Sequence, residues 1–81
     1  MNNVDIVKNV IANGNWFNGT AEVFVMSSNK QVQICTKNVF IRISELERLK
    51  AELEEWEKVE DIEVSPMPLR HHALAVTVIF N

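Results

Sequence analysis

The sequence is short of the residues that mark several protein classes. Cys35 is the only cysteine among 81 residues, so an internal disulfide is excluded. No apolar run approaches the roughly 20 residues that a membrane-spanning helix needs. The first ten residues, MNNVDIVKNV, lack the basic region and apolar block of a secretory signal peptide. We therefore expect a cytoplasmic protein that has no membrane partner.

Glycine and proline are also scarce, with two of each, and 47% of the residues are hydrophobic. Disordered chains are poorer in apolar residues than this. Folding a chain of this length should bury roughly 60% of the surface that the unfolded chain exposes. That is enough for one modest core and too little to surround a deep substrate cavity as well. We expect a single domain over residues 1–81.

Motifs that carry catalysis are missing from the sequence. It contains no phosphate-binding loop, no G-x-G-x-x-G and no nucleophile elbow. His71 and His72 are adjacent, and neighbouring side chains on a strand point to opposite faces, so the pair is poorly placed to hold one metal ion. Cys35 lies in an alternating segment that is typical of a buried, inert thiol. We expect no catalytic residue, no metal and no cofactor, and hence no enzyme.

Hydrophobic periodicity predicts an α+β fold. A helical spacing of apolar residues covers residues 3–12. Alternating segments at 20–27 and 31–36 predict a hairpin with its turn at residues 28–30. The run VFIRI at 39–43 predicts a third, shorter strand. These assignments rest on residue type and spacing alone.

The clearest predicted element is a helix from residue 45 to about 57. Ser44 and Glu47 have the spacing of a capping box, in which each side chain bonds the other's backbone N–H. One apolar stripe follows, consisting of Leu46, Leu49, Leu53 and Trp56.

The last third of the chain predicts further strands. Val59, Ile62 and Val64, with acids between them, form an optional strand before two prolines, and residues 73–80 form the last strand. The predicted order is α-β-β-β-α-(β)-β, an antiparallel sheet of three to five strands with two helices.

Negative charge is concentrated in the second half of the chain. Residues 1–44 hold four Lys or Arg against two acids, whereas residues 45–81 hold four against nine. One interpretation is a solvated helix face that keeps the protein soluble. The alternative is a docking surface for a basic protein, for which the sequence offers Glu54, Glu55 and Glu57.

Trp16 and Phe17 lie between two Asn-Gly steps, where a chain usually turns near the surface. Both rings could close one end of the core. Alternatively they form an exposed aromatic anchor of the kind that dominates protein-binding hot spots.

A nucleic-acid-binding accessory protein is the alternative function. It would use the hairpin region 20–43 and stack bases on Trp16 and Phe17. The hairpin region carries three cations, Lys30, Lys37 and Arg42. Because three cations form a weak electrostatic footprint, nucleic acid is the less favoured partner.

The last predicted strand, ALAVTVIF at 73–80, has no charge and no proline. Such a strand aggregates when it is left at an open edge, so it must lie mid-sheet or pair with a second copy. Ala75, Thr77 and Ile79 share one face and suit a flat contact in a homodimer.

We therefore predict a non-enzymatic protein-binding module that self-associates and whose partner the sequence does not identify. Short, acidic, motif-free chains are common among the accessory proteins of phages and mobile elements. A small regulator or inhibitor of a host protein fits that description.

Overall fold

The computed structural model describes residues 2–25, 30–69 and 71–81. Within these residues lie two α-helices and a four-stranded antiparallel sheet, which confirms the predicted α+β class. The elements in chain order are α1 (Asn3–Ala12), β1 (Glu22–Val25), β2 (Gln31–Thr36), α2 (Ile43–Leu53), β3 (Val59–Leu69) and β4 (His72–Phe80).

The strands lie in the order β1-β2-β4-β3, and each neighbouring pair is antiparallel. Val78 of β4 lies opposite Val32 of β2 on one side and Ile62 of β3 on the other. The strand predicted at 73–80 therefore lies mid-sheet, where both of its edges are paired. Its apolar composition is compatible with that position, since neither edge is left open.

Both helices pack on the same face of the sheet. Helix α1 buries Ile6, Val7 and Val10, and helix α2 buries Leu49 and Leu53. These side chains belong to the same core cluster as five residues of β2 and β4, namely Val32, Ile34, Val76, Val78 and Phe80. One shared cluster thus joins the two helices to the two central strands.

The helix predicted at residues 3–12 is confirmed as α1, and a side chain caps its start. Asn2 occupies the N-cap position, and its side-chain oxygen accepts a hydrogen bond from the backbone N–H of Asp5 at 2.9 Å. This bond satisfies one of the N–H groups that the first turn leaves without a helical partner.

The optional strand after α2 is present as β3, although it contains Pro66 and Pro68. Proline removes a donor from the hydrogen-bonding ladder, and β3 is an edge strand, the position in which a sheet tolerates this loss. The end of the predicted first strand and most of the hairpin turn at residues 28–30 fall on residues 26–29, outside the described residues.

The third strand predicted at 39–43 is wrong. Residues 39–42 form an irregular segment, and Ile43 begins α2. Both edges of β2 are already paired, with β1 and β4, so the segment that follows β2 has no edge of that strand to join. Composition favoured a strand here, but pairing elsewhere in the sheet overrides it.

The predicted limits of α2 are wrong at both ends. The helix begins after Arg42, which occupies the N-cap position without a side-chain cap, so Ser44 lies inside the first turn and the Ser44–Glu47 capping box does not form. The helix ends at Leu53, so Trp56 lies in the turn beyond it and its ring is 56% exposed.

Candidate functional site

Trp16 and Phe17 lie in the core and do not form an exposed anchor. Their side chains are 1% and 0% exposed. The Trp16 indole N–H donates to the backbone carbonyl of Val10 at 3.0 Å, and the Arg48 guanidinium carbon lies 4.1 Å from the centre of the Trp16 ring. Of the two interpretations of this pair, closure of the core is correct, and neither ring is available to a protein surface or a nucleobase.

The backbone at this pair forms a left-handed turn. Phe17 (φ 52°, ψ 48°), Asn18 (φ 57°, ψ 31°) and Gly19 (φ 75°) all have positive φ. For residues other than glycine this conformation costs about 1–2 kcal/mol each, so other contacts must hold it. The Phe17 N–H donates to Glu45 Oε2 at 2.9 Å, and Asn18 Nδ2 donates to Asn38 Oδ1 at 3.3 Å.

Two threonines tie the same turn to the end of β2. The Thr20 hydroxyl donates to the Phe17 carbonyl at 2.7 Å and lies 2.8 Å from the Thr36 hydroxyl. Since the Thr20 proton is committed to Phe17, Thr36 is the donor between the two hydroxyls. The backbone N–H groups of Lys37 and Asn38 donate to Thr20 and Thr36 at 3.2 and 3.1 Å. The chain that leaves β2 is therefore held in place at its root.

Residues 37–43, which run from this anchored root to the first residue of α2, form a surface segment that we term the apolar loop. Val39, Phe40 and Ile43 are 79%, 67% and 72% exposed, although each is large and hydrophobic. Lys37 and Arg42 in the same loop are exposed cations. Sequence reasoning missed this surface because a strand over 39–43 would have buried alternate side chains.

A cleft of about 430 Å³ lies between the apolar loop and the left-handed turn. It is lined by Asn18, Lys37, Asn38, Val39, Phe40, Arg42 and Glu45. The lining thus combines apolar, amide and charged groups.

The acidic residues that the sequence offers as a docking surface are exposed at the opposite end of α2. We term Glu52, Glu54, Glu55, Trp56 and Glu57 the acidic end. Carboxylates at a helix C-terminus lie near the negative end of the helix dipole, where they are unfavourable. A cleft of about 220 Å³ adjoins this surface and is lined by Asn9, Val10, Asn13, Glu52, Glu55 and Trp56.

Ala75, Thr77 and Ile79 lie on the sheet face opposite to the helices. Ala75 is buried, whereas Thr77 and Ile79 are half-buried. Their neighbours across the strands are mostly polar: Cys35 and Ser65 flank Ala75, Gln33 and Glu63 flank Thr77, and Gln31 and Asp61 flank Ile79. The face is therefore mixed, with an apolar centre one strand wide.

The same face brings His72 to Glu22, with His72 Nε2 2.9 Å from Glu22 Oε2. The Phe24 ring meets the His72 ring edge-on at 5.8 Å between centroids. Burial, and secondarily the charge of Glu22, raises the pKa of the Cys35 thiol above its ordinary value. A protonated thiol is a poor nucleophile and a poor metal ligand. Within the described ranges, no three His, Cys, Asp or Glu side chains are grouped so that they could hold a metal ion.

Neither helix of the described chain has the length and apolar composition required to cross a bilayer. Comparison with protein-family models, curated proteins and solved structures finds no match to this chain.

Proposed function

We propose that this protein is a non-enzymatic protein-binding module that self-associates, and that the apolar loop is its main contact element. The observation that carries the proposal is the exposure of three large hydrophobic side chains within five residues, Val39 and Phe40 before α2 and Ile43 at its first position. Single apolar residues are common on protein surfaces, whereas a contiguous group marks an interaction site. Burying such a group yields roughly 25 cal/mol per Å² of apolar surface.

The way the loop is attached supports this role. Its root is hydrogen-bonded to the left-handed turn through Thr20, Thr36 and Asn38. A loop that is already ordered loses less conformational entropy when it binds than a flexible one. Strained backbone of the kind found at Phe17 also concentrates at functional sites.

Charge favours a partner surface that combines apolar and acidic groups, because Lys37 and Arg42 lie beside the exposed hydrophobic side chains. A nucleic-acid partner is less favoured. The aromatic pair that would have stacked on bases, Trp16 and Phe17, is buried, and the three exposed cations of the hairpin region, Lys30, Lys37 and Arg42, form a weak footprint for phosphates. Within this proposal, a small regulator or inhibitor of a host protein, of the phage or mobile-element accessory type, stays the favoured class.

Co-purification of the tagged protein from its native cell tests the proposal. A Val39→Ser/Phe40→Ser variant should lose the bound protein, since it removes the apolar contact without adding charge. Phe24→Ser is the matched control, because Phe24 is an exposed phenylalanine on the other side of the sheet. Far-ultraviolet circular dichroism should show the same fold for both variants. Equal capture by the parent and the loop variant would contradict the proposal, and a bound species released by nuclease or moderate salt would favour nucleic acid.

A further inference from the structure

We infer that the apolar loop binds the acidic end of a second copy of this chain, so that copies associate head to tail along α2. This inference rests on the proposed function, since it names the partner of the same loop. Its evidence is the complementarity of two surfaces at opposite ends of one helix.

The charges of the two surfaces are opposite in sign. The loop carries Lys37 and Arg42, and the adjacent carboxylate of Glu45 already accepts the Phe17 N–H. The acidic end carries four glutamates, with Lys50 and Lys58 as the nearest cations along the chain. The dipole of α2 strengthens the positive charge at the loop and the negative charge at the acidic end, because its positive end lies at the loop and its negative end at the glutamates. Contacts between two loops or between two acidic ends are correspondingly disfavoured.

The apolar groups of the two surfaces also match. Trp56 is 56% exposed and lines the cleft of about 220 Å³ together with Val10, the other apolar residue of its wall. This cleft can receive an aromatic side chain such as Phe40. Glu52 and Glu55 line the same cleft and would accept hydrogen bonds from Arg42 of the second copy. Arginine binds carboxylates in a bidentate geometry.

The contact has to form between molecules. The 11 residues of α2 separate the two surfaces by roughly 16 Å at 1.5 Å per residue, so one chain cannot bring them together. Within one molecule, the glutamates after Leu53 have an unfavourable interaction with the helix C-terminus. Lys37 and Arg42 of a second copy would offset that unfavourable interaction.

A head-to-tail contact differs from a two-fold dimer in its consequences. Two different surfaces meet, so a pair of copies keeps one free acidic end on one molecule and one free loop on the other, and the assembly grows into chains or closes into a ring. A dimer through Ala75, Thr77 and Ile79 would instead stop at two copies. Because the loop and the end are small, the contact belongs to the weak, reversible class of interfaces.

Mixing two variants tests the inference by sedimentation velocity. The loop variant is Val39→Ser/Phe40→Ser, and the end variant is Glu55→Gln/Trp56→Ser. The parent should grow beyond a dimer as its concentration rises, and each variant alone should sediment as a 9.3 kDa monomer. An equimolar mixture should form a heterodimer and nothing larger, since one intact loop and one intact acidic end remain in each pair. About 1 M salt, where the Debye length is roughly 3 Å, should weaken the parent assembly.

Several results would overturn the inference. A parent that stays monomeric would exclude a second copy as the partner, while loop-dependent co-purification would still support the protein-binding function. A mixture that stays monomeric would exclude the head-to-tail pairing. Dissociation by Ile79→Glu, with the loop variant still associated, would assign the interface to the sheet face. A monomer whose loop binds anionic phospholipid vesicles would make a lipid surface the occupant.

Discussion

Phe17 has a left-handed backbone although it is a bulky residue whose ring is fully buried. Burial of the ring and the hydrogen bond from its N–H to Glu45 together oppose the cost of this conformation. Glu45 belongs to the first turn of α2, so this one bond connects the strained turn to the helix that carries the apolar loop. Phe17 therefore helps to hold the apolar loop in position and is also part of the core.

Glu45→Ala should destabilise the protein by about 1–3 kcal/mol, because a partly buried N–H then loses its acceptor. The neighbouring change Ser44→Ala should stay within about 0.5 kcal/mol, since Ser44 is exposed inside the first helical turn and caps nothing. Urea unfolding monitored by circular dichroism measures both. A cost of about 1 kcal/mol for Ser44→Ala would instead restore the capping box that the sequence predicts.

Cys35 should make the protein less stable at alkaline pH. Burial raises the pKa of the folded thiol, so the unfolded thiol releases its proton first, above about pH 8.5. The unfolded state then binds fewer protons than the folded state, and the free energy of unfolding falls as pH rises. Cys35→Ala should show a shallower decline between about pH 8 and pH 10, with the other titrating groups common to both proteins. Parallel declines would contradict this assignment.

At the scale of the elements, α2 shows which features the sequence could predict. The spacing of Leu49 and Leu53 identified the buried face, because apolar side chains three to four residues apart fall on one side of a helix. Its limits were not predictable in the same way. Ile43 looks like strand sequence, and Trp56 continues the apolar spacing, but neither lies over the core, so both are exposed.

Leu53→Ala should cost about 2–5 kcal/mol of stability, because it leaves a cavity in the core. Trp56→Ala removes a larger side chain but should cost much less, since the ring lies beyond the helix and is mostly exposed. Urea unfolding of the two variants beside the parent measures both losses of stability. Equal costs would place Trp56 in the core stripe, as the sequence alone predicts.

At the scale of the whole molecule, local patterns predicted the elements better than their arrangement. The absence of charge and proline in residues 73–80 left two positions open, mid-sheet or paired with a second copy, and the strand lies mid-sheet. Strand order depends on pairing between distant segments, so spacing within one segment carries little information about it. The exposed loop was missed for the same reason, because its side chains are left outside by the pairing of other strands. Trp16 and Phe17 were ambiguous because aromatic residues serve cores and interfaces equally well.

The central position of β4 also has a consequence for biosynthesis. β4 joins β2 to β3, yet it follows both of them along the chain. At translation rates of about 5–20 residues per second, roughly 2–7 s pass between the end of β2 and the start of β4. Until β4 is complete, the edge of β2 that includes Val32 and Ile34 lacks its permanent partner. A β4 unable to pair would leave that edge open to other chains, so damage to this strand should appear in the cell as aggregation.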